Sequence, residues 1–392
     1  MIKKVILLTE VISPYRIPVF NEIAQCAQIE FKVFFLAETV SGRLWNVERE
    51  KIRFEYRVLK GLKIPLPNRF PIFFNPGIGS ILRKENPDLI ISGGYHHPSL
   101  LLALRYARKY QKRFILWCET HNESVRVISF PAGYYRKNFI RSSDGFIVPG
   151  RKSFDFIRKF EVNGKGIWIA PNAVHNDFFS QSAVIARSQS KKHKLQRGFP
   201  SQIILYVGRM VDSKGIPVLL RAFQDISNSP SPFPPPTGRG EGEGIGLVLV
   251  GEGKDQVKYK TFCQKHNLKN VFFEGFKQQE ELSFYYGLAD LFVLPSTQEE
   301  WGLVLNEAAA SGLPLIATEA SGAAFDLIDE GKNGFRVPVR DAQALRDAIL
   351  KVLSDVELKK SMGAYSRKKV EEFSPQKCAE GIIQAILDGV QK

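Results

Sequence analysis

A chain of 392 residues, 44% hydrophobic and 24% charged, exceeds the roughly 100–200 residues of one compact domain and can bury sizeable cores, which excludes a disordered or fibrous protein and predicts two domains. Its net charge of +15 is uneven: residues 1–180 hold 28 Lys and Arg against 15 Asp and Glu (+13), and residues 181–392 hold 27 against 25 (+2). With no zinc finger, RNP-type aromatic strand or basic heptad region, the basic half points to an anionic membrane surface or acceptor and away from nucleic acid.

The N-terminal run Lys4–Leu8 reads as a first strand; it is followed by Glu10 and Ser13-Pro14-Tyr15-Arg16, not by the small-residue cleavage site of a signal peptide. Further strands are predicted at Phe31–Phe35, Leu89–Ser92, Phe114–Cys118, Gly145–Val148 and Ile167–Ala170, with helices between them, as at Ile17–Cys26 and Ser99–Lys109. A Pro/Asn turn at Pro171-Asn172-Ala173-Val174 leaves this unit, and the polar, basic stretch Ser180–Arg197 reads as a linker or surface arm. The alternation restarts with strands at Ile203–Val207, Leu247–Val250, Val271–Phe273, Leu291–Leu294, Pro314–Ala317 and Gly334–Val337. Residues 229–246, rich in Pro, Gly and Ser, interrupt one crossover and read as a disordered surface insertion. Strand–helix alternation used twice predicts an α/β chain of two Rossmann-like βαβ domains with parallel sheets. Cys26, Cys118, Cys263 and Cys378 lie too far apart for a disulfide framework or a structural zinc site. No run approaches the ~18 apolar residues of a membrane span, so a soluble, cytoplasmic protein is expected.

Two segments of the second half carry chemistry. Leu294-Pro295-Ser296-Thr297-Gln298-Glu299-Glu300-Trp301-Gly302-Leu303-Val304-Leu305-Asn306-Glu307 runs from a strand end through a loop into a helix. The helix N-terminus suits a phosphate, Glu307 one turn in can accept both hydroxyls of a ribose, and Glu299 in the loop can reach a second sugar beyond a diphosphate. One unit earlier, Gly208-Arg209-Met210-Val211-Asp212-Ser213-Lys214-Gly215 places two cations five apart on a strand-to-helix turn, able to clamp a diphosphate leaving group.

Here the chain resembles the retaining glycosyltransferases of family four. The stretch Glu299 to Ile316 follows that family's EGFGLVxLEAMAxGxPVV pattern, and the GRxxxxKG turn, Gly251-Glu252-Gly253, Phe273-Glu274-Gly275-Phe276 and Gly331-Lys332-Asn333-Gly334-Phe335 occur in the family's order. The resemblance implies a GT-B fold, two Rossmann-like domains facing each other across a donor-binding cleft: residues 1–175 on the acceptor side, with a last helix within 374–392 returning to them, and 176–373 binding a nucleotide sugar. It implies Arg209 and Lys214 on the diphosphate, Glu299 on the donor sugar and Glu307 on the ribose. Gly208 would lie close to the ligand, Gly275 and Phe276 would face the base, and the amides at Gly302, Leu303 and Val304 the phosphates. No cofactor and no metal are implied, the cations and helix end doing the neutralising.

Two departures stand out. Glu300-Trp301 replaces the usual Gly-Phe, which predicts a reshaped donor-sugar pocket. The glycine-rich loop often found after the first strand is replaced by Ile12 to Phe20, as in members that build surface polysaccharides; Arg16 there either binds an acceptor anion or starts the helix. After the strand ending at Cys118, His121 or Glu119 is the residue that would contact the donor sugar. His96 and His97 read as solvated loop residues. The expected activity is hexosyl transfer, with retention, to a hydroxyl of a glycan or lipid-linked acceptor in surface polysaccharide or lipopolysaccharide synthesis, with the enzyme peripheral on the inner face of the cytoplasmic membrane. The alternatives are a GT-B epimerase or hydrolase, which the two glutamates and the Arg/Lys pair argue against, and a non-catalytic sugar-nucleotide-binding protein.

Overall fold

The computed structural model describes residues 2–40, 45–66, 69–125, 130–228 and 244–391, so most of the Pro/Gly-rich stretch 229–246 lies outside the described residues. The chain divides into two units, Met1–Ala173 with Ser374–Lys392, and Val174–Phe373.

In the first unit, β1 (Lys3–Thr9), β2 (Ile29–Phe35) and β3 (Glu55–Val58) are followed by the antiparallel pair β4 (Leu62–Leu66) and β5 (Arg69–Phe74). Then come β6 (Leu89–Ser92), β7 (Arg113–Trp117), β8 (Gly145–Val148) and β9 (Gly166–Ile169). The main sheet has the order β3-β2-β1-β6-β7-β8-β9, and every neighbouring pair is parallel. Strands such as β8 are uninterrupted apolar runs because helices cover both faces. One face packs on Ile17, Phe20 and Ile23 of the helix Ile17–Ala24 together with Cys378, Ile382 and Ile386 of the helix Pro375–Gln391. The other face packs on Ile78, Leu82, Leu100 and Leu104.

In the second unit, β10 (Gln202–Val207), β11 (Ile245–Val250), β12 (Val271–Gly275), β13 (Leu291–Leu294), β14 (Leu315–Thr318) and β15 (Gly334–Val337) form a parallel sheet of order β12-β11-β10-β13-β14-β15. The helix Ile216–Asn228 buries Ile216, Leu219, Leu220, Phe223 and Ile226, one stripe at helical spacing. Strand order reverses between β10 and β13, and ligands of open α/β sheets bind beyond the carboxyl ends of the strands at such a reversal.

The structure corrects the reading of Ser180–Arg197. These residues belong to two helices, Asn176–Ser188 and Ser190–Gln196. The first buries Phe179, Ala183 and Ala186, so close to the helix Gln279–Leu288 that a Cβ on Gly287 would lie 2.4 Å from the Ala186 methyl. Lys194 is anchored as well, its Nζ 2.9 Å from Asp290 Oδ2 and donating to the Ser201 carbonyl at 2.7 Å. Polar residues on the outer face masked an apolar stripe. No disulfide joins any of the four cysteines.

Candidate active site

The two loops that leave β10 and β13 meet at the reversal. After β10, Asp212–Lys214 forms a short 3-10 turn closed by Gly215, whose φ of 70° is left-handed. A Cβ there would stand 1.8 Å from the Pro295 carbonyl oxygen, so only glycine lets this turn lie on the end of β13. Backbone contacts fasten the loops: the Thr297 and Gln298 N–H groups donate to the Ser213 carbonyl at 2.9 and 3.3 Å, and the Thr297 hydroxyl does so at 3.2 Å. Lys214 is thereby placed in a charge-assisted hydrogen bond with Glu299 Oε2, both side chains 15% exposed, and the Ser296 hydroxyl donates to the same oxygen at 3.1 Å.

Arg209 sits between β10 and this turn, its carbonyl accepting from the Tyr206 hydroxyl at 3.0 Å. That hydroxyl is pushed well above its usual range, first by burial and then by the charge of Glu299, with Arg209 opposing. Adjacent strand ends are laced by Gly208 N–H to the Val250 carbonyl at 3.0 Å and Gly251 N–H to the Gly275 carbonyl at 2.7 Å. At the far edge the Phe276 N–H donates to Glu252 Oε1 at 3.4 Å.

Beyond Glu299 the chain enters the helix Leu303–Ala310 through Gly302, a left-handed residue (φ 99°) where a Cβ would meet Leu294, Ser321 and Glu299 within 3.3 Å. Leu303 and Val304 are the first two helical residues, so their amides are among those without a partner inside the helix. Glu307, one turn in, is fully buried, and Tyr286 donates to its Oε2 at 2.6 Å. Tyr286 escaped sequence reasoning; no spacing rule links it to Glu307, which lies 21 residues on. Trp301 is 3% exposed and its indole N–H donates to Asn306 Oδ1 at 2.9 Å, so its ring packs inward.

Thus Arg209, Lys214, Glu299, Glu307, Gly208, Gly275, Phe276, Gly302, Leu303 and Val304 all lie at the carboxyl side of one sheet or in the helix that follows β13, in one unit. His121 belongs to the other unit, after β7. It is fully buried, its Nδ1 3.0 Å from Glu123 Oε2, and Glu123 also pairs with Lys152 at 3.1 Å. Burial pulls the Glu123 pKa up, but its own amide, His121 and Lys152 outweigh this and leave it lowered. Glu119 instead pairs with Arg16, whose guanidinium also stacks 4.1 Å above the Trp117 ring, so Arg16 both precedes the helix Ile17–Ala24 and has its charge met. His97 is buried, not solvated: its Nδ1 accepts the Phe73 N–H at 3.2 Å, leaving Nε2–H to donate to Glu10 at 3.1 Å. Among the described residues, no group of three His, Cys, Asp or Glu side chains is placed to hold a metal ion, and no helix is long and apolar enough to cross a membrane.

Residues 188–369 match the family of glycosyl transferases group 1, and residues 19–178 match glycosyltransferase family 4. An uncharacterized glycosyltransferase of Methanocaldococcus jannaschii is 28% identical over 80% of this chain and 95% of its own. The capsular polysaccharide biosynthesis glycosyltransferase CapM of Staphylococcus aureus is 31% identical over 48% of this chain, a match spanning 46% of that relative. The Anabaena protein HepE, solved in complex with UDP and glucose, superposes with a TM-score of 0.71 at 17% identity, over 98% of this chain and 99% of that one. Matched in both units by sequence and along its length by fold, the chain belongs to the family-four glycosyltransferases of GT-B architecture.

Proposed function

We propose that this enzyme moves a hexose, with retention, from a nucleoside-diphosphate sugar to a hydroxyl of a glycan or lipid-linked acceptor, in the synthesis of a cell-surface polysaccharide or lipopolysaccharide. The observation that carries the donor half is the pairing of Lys214 with Glu299 at the strand reversal, beside a helix N-terminus and with Glu307 one turn inside that helix. The fold shared with HepE, whose structure contains UDP and glucose, and the likeness to CapM, a capsular polysaccharide transferase, support the substrate classes.

In this reading the amides of Gly302, Leu303 and Val304 face the diphosphate, Arg209 and Lys214 stabilise the charge that grows on it, and Glu307 holds the ribose. Glu299 is shared between Lys214 and the sugar hydroxyls, so the cation and the sugar are positioned by one carboxylate. The bond from the anomeric carbon to the diphosphate oxygen breaks, the acceptor oxygen bonds to the same face, and its proton passes to the departing phosphate. The cations of the chain take the neutralising role, so turnover is expected to persist in excess chelator. The basic first half would hold the enzyme against an anionic membrane surface, with binding that weakens as salt rises.

A thermal-shift screen against UDP, GDP, ADP and dTDP tests the donor site. A nucleotide at about 100 times its Kd adds roughly 2.7 kcal/mol. A base-selective shift that Glu307→Ala abolishes is the expected result; no shift and no direct binding with any of the four would overturn the reading. Release of nucleoside diphosphate only when acceptor is added would separate transfer from hydrolysis or epimerisation.

A further inference from the structure

The helices Asn176–Ser188 and Ser190–Gln196 of the second unit meet at Gln189, which ends the first and precedes the second. One side of the pair is anchored. Phe179, Ala183 and Ala186 are buried, and the His193 ring packs edge-on against Phe284 with 4.9 Å between centroids. On the other side exposed residues recur at helical spacing straight across the joint: Val184, Ile185, Ser188, Lys191, Lys192 and Leu195. The two helices therefore present one continuous stripe.

Its composition is not that of an ordinary solvated face. Val184 is 52% exposed and Ile185 and Leu195 66% each, so three branched aliphatic side chains stand in water along a single line. The charge around them has one sign. Residues 178–211 contain six Lys and Arg and no Asp or Glu, although residues 181–392 carry only +2 overall. Four of the six are engaged elsewhere or lie in the donor site: Lys194 pairs with Asp290, Arg197 pairs with Glu274, Arg187 donates to the Ser311 carbonyl, and Arg209 follows β10. Lys191 and Lys192 are the charges that the stripe itself presents.

A second copy of the chain fits this surface poorly, because a twofold contact would set lysines against lysines. Protein partners are held by Trp, Tyr and Arg anchors, with Lys depleted, and the stripe offers lysines and aliphatic side chains instead. The headgroup region of an anionic bilayer satisfies both parts at once. Aliphatic side chains enter the acyl boundary, and lysines lay their stems along it while their ammonium groups reach the phosphates.

We infer that this stripe lies on an anionic lipid bilayer, giving the second unit a membrane contact of its own, separate from the one read from the basic first half and independent of the transfer reaction.

Flotation of the full chain with vesicles of phosphatidylcholine, alone or with equimolar phosphatidylglycerol, tests it. Binding to the mixed vesicles and not to phosphatidylcholine alone is expected. Lys191→Gln with Lys192→Gln should weaken that binding at least about tenfold, since one lysine near an anionic surface counts for about fivefold. Ile185→Ser with Leu195→Ser should weaken it about tenfold as well, and this loss should persist as salt rises while the lysine effect fades. All four side chains are exposed, and an unchanged thermal shift with nucleotide checks that each variant is folded. Mixed-vesicle binding that neither pair of substitutions changes overturns this contact and leaves the first half as the membrane face. Absence of binding by the unmodified chain overturns both membrane contacts, and its nucleotide shifts still decide the transferase reading separately. A loss confined to the lysine pair overturns the bilayer and assigns the stripe to an acidic macromolecule. A dimer seen by sedimentation and dissolved by Ile185→Ser overturns it in favour of a second copy.

Discussion

Lys214 and Glu299, 85 residues apart, are brought into an ion pair by the contact of one glycine with one proline carbonyl. The pair is part-buried and shares Glu299 Oε2 with the Ser296 hydroxyl, so the lysine is aimed before any substrate arrives. Lys214→Ala should lower kcat by about 10²–10³-fold, the range for removing one group aimed at developing charge, and weaken nucleotide binding far less. Steady-state turnover and nucleotide titration on the same preparation check the split; equal losses in both would mean that Lys214 serves binding alone.

Gly215 holds the turn that delivers Lys214. Gly215→Ala forces a left-handed φ of 70° on a residue with a Cβ and drives that Cβ to 1.8 Å from the Pro295 oxygen. A loss of about 2 kcal/mol or more in urea unfolding is expected, with a fall in turnover beyond what stability explains.

Tyr286 lies behind Glu307, so its loss should be felt through the carboxylate. Tyr286→Phe removes the 2.6 Å hydrogen bond to a buried charge, worth about 1.5–3 kcal/mol. Nucleotide affinity should drop about tenfold with the rank order of bases preserved. A variant that binds as tightly as the parent would show that Glu307 is held by its other neighbours.

Trp301 gives a contrasting case. Trp301→Phe leaves the buried Asn306 Oδ1 without the indole N–H it accepts at 2.9 Å, a penalty of about 1–3 kcal/mol. Because the ring faces inward, relative turnover of different donor sugars should stay unchanged. A changed donor preference would restore the pocket role expected from sequence.

Alkaline pH should weaken the fold. Burial raises Cys263 from 9.0 to about 11, Cys378 from 9.0 to about 12 and Tyr95 from 10.0 to about 12. Each group has a folded pKa above its unfolded one, so its contribution is complete below the unfolded value and is lost as pH rises through the folded value. The urea midpoint should therefore hold steady up to about pH 9 and fall between about 9 and 12. Cys378→Ala should make the decline shallower without moving its onset, which Cys263 also sets.

Strands buried on both faces were legible because nothing interrupts them: Leu291–Leu294 and Leu89–Ile91 are apolar runs bounded by polar residues. The placement of Arg209, Lys214, Glu299 and Glu307 at strand ends and in the helix after β13 was legible because their spacing along the chain reflects loops of fixed length there. Tyr286 was not, since its link to Glu307 depends on how two helices pack. Nor was the burial of His97, because the amide that holds it, from Phe73, belongs to an antiparallel pair whose strands carry no clear alternation.

The helix Pro375–Gln391 fills one face of the first sheet with Cys378, Ala379, Ile382, Ala385 and Ile386, against Val5, Leu7 and Phe20. Its residues leave the ribosome only after all of Val174–Phe373 has been made. During synthesis the first unit therefore waits with that apolar face uncovered while the second unit, continuous in sequence, can fold ahead of it. Order of translation and order of completion are reversed in this chain. A ribosome-stalled chain ending before Ser374 should present the uncovered face to chaperones even when its second unit is already protease-resistant.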